Sequence, residues 1–161
     1  MERYEINKIL DLYHSKEYSK KIVIQDLPLN KLSYWVALAD LKDFDFVRDI
    51  INKDLQNIGY NDYRCAEFVA PSTLGQGPIT LLIYEKGDFF TEHSDKIYAT
   101  GILSGGYLLN DEYKGGNFIV DGKKLEVGVG ELFTYGRDVL HEVTEITDGV
   151  RYSLHFFIDK L

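Results

Sequence analysis

From Asp62 to Leu161 the sequence carries no convincing helical period. It breaks instead into short β-rich runs separated by clusters of Gly, Asp, Asn and Pro, and this punctuation constrains the chain more than any other feature. Strands are expected near 63–69, 78–85, 88–94, 97–103, 117–120, 124–127, 131–134, 139–145 and 150–158. Strands this short and this closely spaced close into a sandwich or barrel, whereas a parallel sheet needs a helix between successive strands. A mostly β jelly roll fits best.

The first 60 residues read differently. Ile6, Ile9, Leu10 and Tyr13 place an apolar stripe on one face of a short opening helix. Lys21 to Gln25 is β-rich, and Leu32, Tyr34, Val36 and Leu38 alternate along a second expected strand. Asp43 offers an N-cap, Phe44, Val47, Ile51, Leu55 and Ile58 keep helical spacing, and Gly59 supplies a C-cap, so the longest helix is expected here. The expectation is one domain spanning 1–161, with 1–60 as a helix-containing support packed on one face of a jelly-roll core at 62–161. At 161 residues with 45% hydrophobic and 14% aromatic content, such a domain buries a sizeable core without disulfides or a structural metal. Any metal is then expected to be functional.

A net charge of −8 disfavours nonspecific binding to phosphate backbones. The single cysteine, Cys65, closes no intramolecular disulfide, which points to a reducing compartment. Met1 to Lys8 is too charged for a secretory signal, and runs such as Leu81 to Tyr84 are far too short to span a membrane. A soluble cytoplasmic protein is expected, with neither nucleic acid nor membrane as partner and with its oligomeric state left open.

The chemistry concentrates in a few residues. His93 and Asp95 are two apart on an expected strand, so both face one way with Cα atoms about 6.5 to 7 Å apart, close enough to share one ion. Alone the pair decides nothing, because 4 His and 26 acidic residues in 161 give about 0.6 chance matches, and by itself it reads more readily as an exposed hydrogen-bonded pair. His141 is the third candidate ligand. Ten residues on, Arg151, Ser153, His155 and Phe157 share one face of a strand whose other face (Val150, Tyr152, Leu154, Phe156, Ile158) is almost wholly apolar and must be buried. An inward guanidinium needs a partner, either a structural carboxylate such as Glu131 or Asp148 or the carboxylate of a ligand. Two imidazoles and one carboxylate leave three adjacent metal positions open, the arrangement of non-haem Fe(II) oxygenases. A 2-oxo acid fills two of these and leaves one for O2, and its far carboxylate suits a bidentate Arg.

These residues occur in an order that resembles the Fe(II)/2-oxoglutarate-dependent dioxygenases, in particular the prolyl 4-hydroxylase-like group. The matching pieces are Tyr84-X-X-Gly87-X-X-Phe90-X-X-His93-X-Asp95, then Leu109-Asn110-X-X-Tyr113-X-Gly115-Gly116, then Gly130 with Phe133, then His141-X-Val143 and Gly149-X-Arg151-Tyr152-X-Leu154. The resemblance implies a double-stranded β-helix, a cupin-like jelly roll. It implies that His93, Asp95 and His141 bind Fe(II), that Arg151 pairs with the distal carboxylate of 2-oxoglutarate, and that the Tyr84 hydroxyl assists. Ser153 reads equally as a second partner of that carboxylate or as a satisfied core hydroxyl. His155 lines the oxygen pocket or simply packs, and Phe157 and Leu108 are further pocket-lining candidates.

The chain departs from the family at Leu108, where Tyr is usual, near Glu126 and Val127, where Pro is usual, and at Phe157, where an indole is usual. Nucleobase-repair members carry a second Arg where Phe157 stands, which argues against a nucleic-acid substrate. The activity implied is oxidative decarboxylation of 2-oxoglutarate to succinate and CO2, coupled to C–H hydroxylation with O2 and supported by ascorbate. A prolyl residue in a peptide or protein leads as substrate, followed by a free amino acid or small metabolite. The rivals are a cupin-like barrel that binds metal and a small anion without oxygen chemistry, and an interaction module in which the motif survives only as packing. Gly105-Gly106 and Gly115-Gly116 read as turns or bulges, since no helix follows either pair to make a phosphate site.

Overall fold

The structure, a computed structural model, describes residues 1–15, 21–24, 30–39, 41–67, 77–97 and 102–161. Helix α1 (Arg3–Ser15) opens it, followed by strands β1 (Lys21–Ile24) and β2 (Asn30–Ala37), helix α2 (Asp45–Asn57) and β3 (Tyr63–Cys65). The remainder is β4 (Ile79–Tyr84), β5 (Phe89–His93), β6 (Leu103–Leu108), β7 (Tyr113–Gly115), β8 (Phe118–Val120), β9 (Lys123–Lys124), β10 (Leu132–Gly136), β11 (His141–Val143), β12 (Ile146–Gly149) and β13 (Arg151–Lys160). The described strands all pair antiparallel, and one isolated parallel bridge joins Leu108 to Val129. Eleven strands form one sheet, in the order β10-β6-β13-β4-β2-β5-β11-β8-β9, with β1 on β2 and β3 on β13, while β7 and β12 form a separate pair. The jelly roll expected from strand spacing is what this chain forms.

Both helices lie on one side of it. Ile6, Ile9 and Tyr13 of α1 and Val47, Ile51 and Leu55 of α2 join one buried cluster with Ile79, Leu81 and Ile83 of β4 and Leu154, Phe156 and Ile158 of β13. The period of two then turns the intervening residues of β4 and β13 toward the opposite face, where the site lies. Tyr107 of β6, fully buried, ties α2 to the sheet by donating its hydroxyl to Asp54 Oδ2 at 2.9 Å. No helix among the described residues is long and apolar enough to cross a membrane.

Several boundaries differ from expectation. Asp43 does not cap α2; it lies inside a one-turn 3-10 helix, Lys42–Phe44, that leads into Asp45. The second helix is not the longer one, since α1 and α2 each have 13 residues. Gly59 does end α2, at φ +91°, donating to the Gln56 carbonyl while Tyr60 donates to that of Leu55, the paired closure of a Schellman motif. The strand expected at 97–103 falls partly on residues 98–101, outside the described ones, and Asp95–Ile97 is a 3-10 turn. The strand itself runs from Leu103 to Leu108 straight through Gly105-Gly106, which therefore form neither turn nor bulge. There the glycines are a packing requirement: a Cβ on Gly106 would stand 2.5 Å from Phe133 Cζ and 2.6 Å from the Leu154 carbonyl oxygen. Gly115 and Gly116 do turn, at φ +75° and +59°. Of the expected strand 63–69, residues 68 and 69 lie outside the described ones.

Candidate metal centre

β5 and β11 pair so that His93 stands directly opposite His141, with ring centroids 4.3 Å apart. After His93 the chain leaves the strand. Asp95 begins a 3-10 turn, its N–H donating to the Arg137 carbonyl at 2.9 Å, so its carboxylate reaches the two imidazoles from a turn rather than along a strand. Asp95 Oδ1 lies 3.9 Å from His93 Nε2 and 3.7 Å from His141 Nε2, and one ligand atom from each of the three residues lies within 4.8 Å of the others. That spacing is too long for direct hydrogen bonds and suits atoms that share an ion.

The tautomers follow from the hydrogen bonds. His93 Nδ1 lies 2.7 Å from the Thr91 carbonyl and His141 Nδ1 lies 3.0 Å from that of Val139. A carbonyl only accepts, so each Nδ1 carries the proton and each Nε2 lone pair faces the centre, the form a metal requires. Burial keeps both rings neutral: it lowers the His93 pKa to about 4, helped by the facing His141, and it lowers His141 as well. Burial alone would raise the Asp95 carboxyl, but His155, His141 and the Ser104 hydroxyl outweigh it and hold the group ionised, below the usual carboxylate range. Its second oxygen is already engaged. Ser104 donates to Asp95 Oδ2 at 2.5 Å, His155 Nε2 approaches that oxygen to 3.4 Å, and the Tyr135 hydroxyl bonds to the carboxylate too. Oδ1 faces the histidines, and the donor set fits a divalent cation such as Fe(II).

The same cavity, about 60 Å³, is lined by Tyr84, Arg151, Ser153 and His155 as well as the three candidate ligands. Arg151 is 4% exposed, its Nη1 donates to Ser153 Oγ at 2.8 Å, and its Nε has no hydrogen-bond partner among the described residues. The structural carboxylates weighed from sequence are occupied elsewhere, Glu131 by the Gly128 N–H at 2.9 Å and Asp148 by Lys114 at 3.8 Å. Tyr84, opposite Arg151 across the β4–β13 ladder, holds its ring 5.4 Å from the guanidinium carbon, and burial pushes its pKa up so that the phenol stays neutral. A buried cation with no anion beside it costs several kcal/mol unless a ligand supplies one.

His155 lines the cavity, whereas the other two pocket-lining candidates do not. Phe157 packs edge-on behind His155, rings 4.9 Å apart, and Leu108 lines a neighbouring groove of about 230 Å³ that meets the cavity at Phe118, Phe133 and Arg151. Sequence reasoning missed Ser104 and Tyr135 on the Asp95 carboxylate and the aromatic wall of Phe90, Phe118, Phe133 and Tyr135. Only the wall left a trace, in the alternation of Phe133 with Tyr135 along one strand face.

No protein-family model matches the sequence, and no curated protein matches it. Solved structures do match. An oxidoreductase of the 2OG-Fe(II) oxygenase family from Burkholderia pseudomallei superposes with a TM-score of 0.70 over 97% of this chain and 79% of its own, at 16% identity. A Pseudomonas putida prolyl-4-hydroxylase gives 0.69 at 14% identity, covering 100% of this chain and 89% of its own. The fold is that of the 2-oxoglutarate–Fe(II) oxygenases. The viral collagen prolyl hydroxylase of Paramecium bursaria Chlorella virus-1, solved with 2-oxoglutarate, shares this oxygenase fold at a TM-score of 0.62 and 11% identity, covering 100% of this chain and 92% of its own. At such identities the likeness is one of fold, and the chemistry has to be argued from this chain's own residues.

Proposed function

We propose that this chain is an Fe(II)- and 2-oxoglutarate-dependent hydroxylase. One observation carries the reading: a buried Arg151, with no carboxylate paired to it among the described residues, shares a cavity with a His-Asp-His set whose Nε2 atoms face inward. His93, Asp95 and His141 hold the metal, and Ser104 holds the second Asp95 oxygen by a hydrogen bond while His155 stands 3.4 Å from it. Arg151 pairs with the distal carboxylate of 2-oxoglutarate, a bidentate match that orders the cosubstrate, and Ser153 holds the guanidinium in place from its own strand. Tyr84, kept protonated by burial, offers the cavity a hydroxyl donor. The aromatic wall excludes water from the reacting centre. Bound Fe(II) supplies the oxygen chemistry by which decarboxylation of 2-oxoglutarate to succinate and CO2 is coupled to hydroxylation of a substrate C–H bond, with O2 as oxidant and ascorbate as support.

A prolyl residue in a peptide or protein is the leading substrate, because two of the matching folds are named prolyl hydroxylases. A free amino acid or small metabolite follows. A cytoplasmic, reducing setting suits Cys65, which is buried and unpaired. The test is succinate formation from 2-oxoglutarate by anaerobically purified protein given Fe(II) and ascorbate, with and without a Pro-rich peptide, and with a His141→Ala control. Turnover that the control lacks supports the oxygenase, and stimulation by the peptide supports the prolyl substrate. Binding of metal and 2-oxoglutarate without succinate would favour the cupin-like barrel instead.

A further inference from the structure

Arg151 stands where the main-chain ladder runs out. β6 pairs with β13 from Leu103↔Ile158 to Leu108↔Ser153, and one more bond follows, from the Leu109 N–H to the Tyr152 carbonyl at 3.0 Å. Past that point a side chain replaces the strand. Asn110 Nδ2 donates to the Val150 carbonyl at 2.8 Å, and Asn110 Oδ1 accepts the Tyr152 N–H at 2.8 Å. A carboxamide offers the same donor and acceptor as a peptide unit, so it extends the ladder across residue 151. On the other edge β4 pairs Tyr84 with Arg151. The guanidinium-bearing residue is therefore gripped from both sides, one of them by a single amide. Gly116 clears its stem: a Cβ there would stand 3.1 Å from Arg151 Cδ and 2.3 Å from Ile146 Cδ1.

We propose that Asn110 is a positioning residue that aims the Arg151 guanidinium and so sets the affinity for a dicarboxylic 2-oxo acid. The inference rests on the proposed function. Asn110 does not line the cavity and acts through Arg151 alone. Bidentate pairing depends on direction as well as distance, so a small rotation of the Arg151 backbone forfeits one of its two bonds.

The test is calorimetric titration, without oxygen, of the full chain with Mn(II) and then of the Mn(II)-loaded protein with 2-oxoglutarate. Asn110→Ala should weaken 2-oxoglutarate binding about tenfold to a hundredfold. Mn(II) affinity should stay within about twofold, because the ligands lie on other elements. Asn110→Asp keeps the shape and the acceptor for Tyr152 but sets an oxygen against the Val150 carbonyl, and it should weaken 2-oxoglutarate in the same selective way. In turnover, KM for 2-oxoglutarate should rise while kcat at saturation holds. Unchanged 2-oxoglutarate affinity in both variants, with wild type binding normally, overturns the inference and leaves the proposed function standing. A parallel loss of Mn(II) and 2-oxoglutarate affinity overturns it too, by making Asn110 a general clamp. If Mn(II)-loaded wild type binds no 2-oxoglutarate, the proposed function falls and takes the inference with it.

Discussion

Acid should destabilise the metal-free protein through His93. Burial, reinforced by the facing His141, lowers its folded-state pKa from 6.5 to about 4. The unfolded chain therefore accepts a proton that the folded chain refuses, so this contribution to stability is whole above about pH 6.5 and is lost as pH falls toward 4. Each unit of difference is about 1.4 kcal/mol, so the full loss is about 3 kcal/mol, with about 2 kcal/mol gone by pH 5. The His93 side chain is 24% exposed, so solvent screening does not dissolve the effect. Against a typical folding stability of about 5 to 15 kcal/mol, that is readily measured. Urea denaturation of chelator-treated protein at pH 7.5, 6 and 5 should show the stability of wild type dropping by about 2 kcal/mol more than that of His93→Gln. The gain on adding Mn(II) should shrink over the same range, since protons and metal compete for one Nε2 lone pair. Parallel pH profiles for the two proteins would refute the claim that His93 is held neutral in the fold.

Three further outcomes are expected. Arg151→Lys keeps the charge but loses the fork, so titration should find 2-oxoglutarate bound about ten to a hundred times more weakly with Mn(II) affinity unchanged. Ser104→Ala frees Asp95 Oδ2, and Mn(II) titration should register a loss of about tenfold to a hundredfold in affinity. Gly106→Ala drives a methyl against Phe133 and the Leu154 carbonyl, and urea denaturation should show a cost of at least about 1 to 3 kcal/mol.

What the sequence makes legible is the pattern of apolar alternation, and where alternation is strong the structure follows it. β13 and β4 were readable because each buries a complete apolar face, and α1 because its stripe is uninterrupted. β6 was not, because Gly105-Gly106 look like punctuation until Phe133 and Phe156 are seen closing over them. β7 and β12 are only 3 and 4 residues long and carry little apolar signal of their own. The cluster of His93, Asp95 and His141 was visible as spacing, yet the turn that delivers Asp95 was not, because a residue two places on reaches the same side by either route. Ser104 and Tyr135 meet Asp95 only through the fold, and Asn110 is polar for a reason that lies 40 residues away, at Val150.

The Asp95 carboxylate does more than complete a ligand set. Its Oδ1 faces the two histidines of the β5–β11 pair, while its Oδ2 is tied to Ser104 of β6 and meets His155 of β13. Among the described strands, the sheet joins those two groups only through β4 and β2. Asp95 reaches directly from the histidines to Ser104 by a hydrogen bond and approaches His155, on the strand that carries Arg151, at 3.4 Å. On the proposed function, a chelating 2-oxo acid must satisfy both ends at once, so their separation matters as much as either end. Loosening the Oδ2 contacts should therefore weaken metal and 2-oxoglutarate together, whereas loosening the Asn110 amide acts on the Arg151 end alone. On the proposed function, the contacts on Asp95 Oδ2 therefore act on metal and cosubstrate together, and the Asn110 amide acts on the cosubstrate alone.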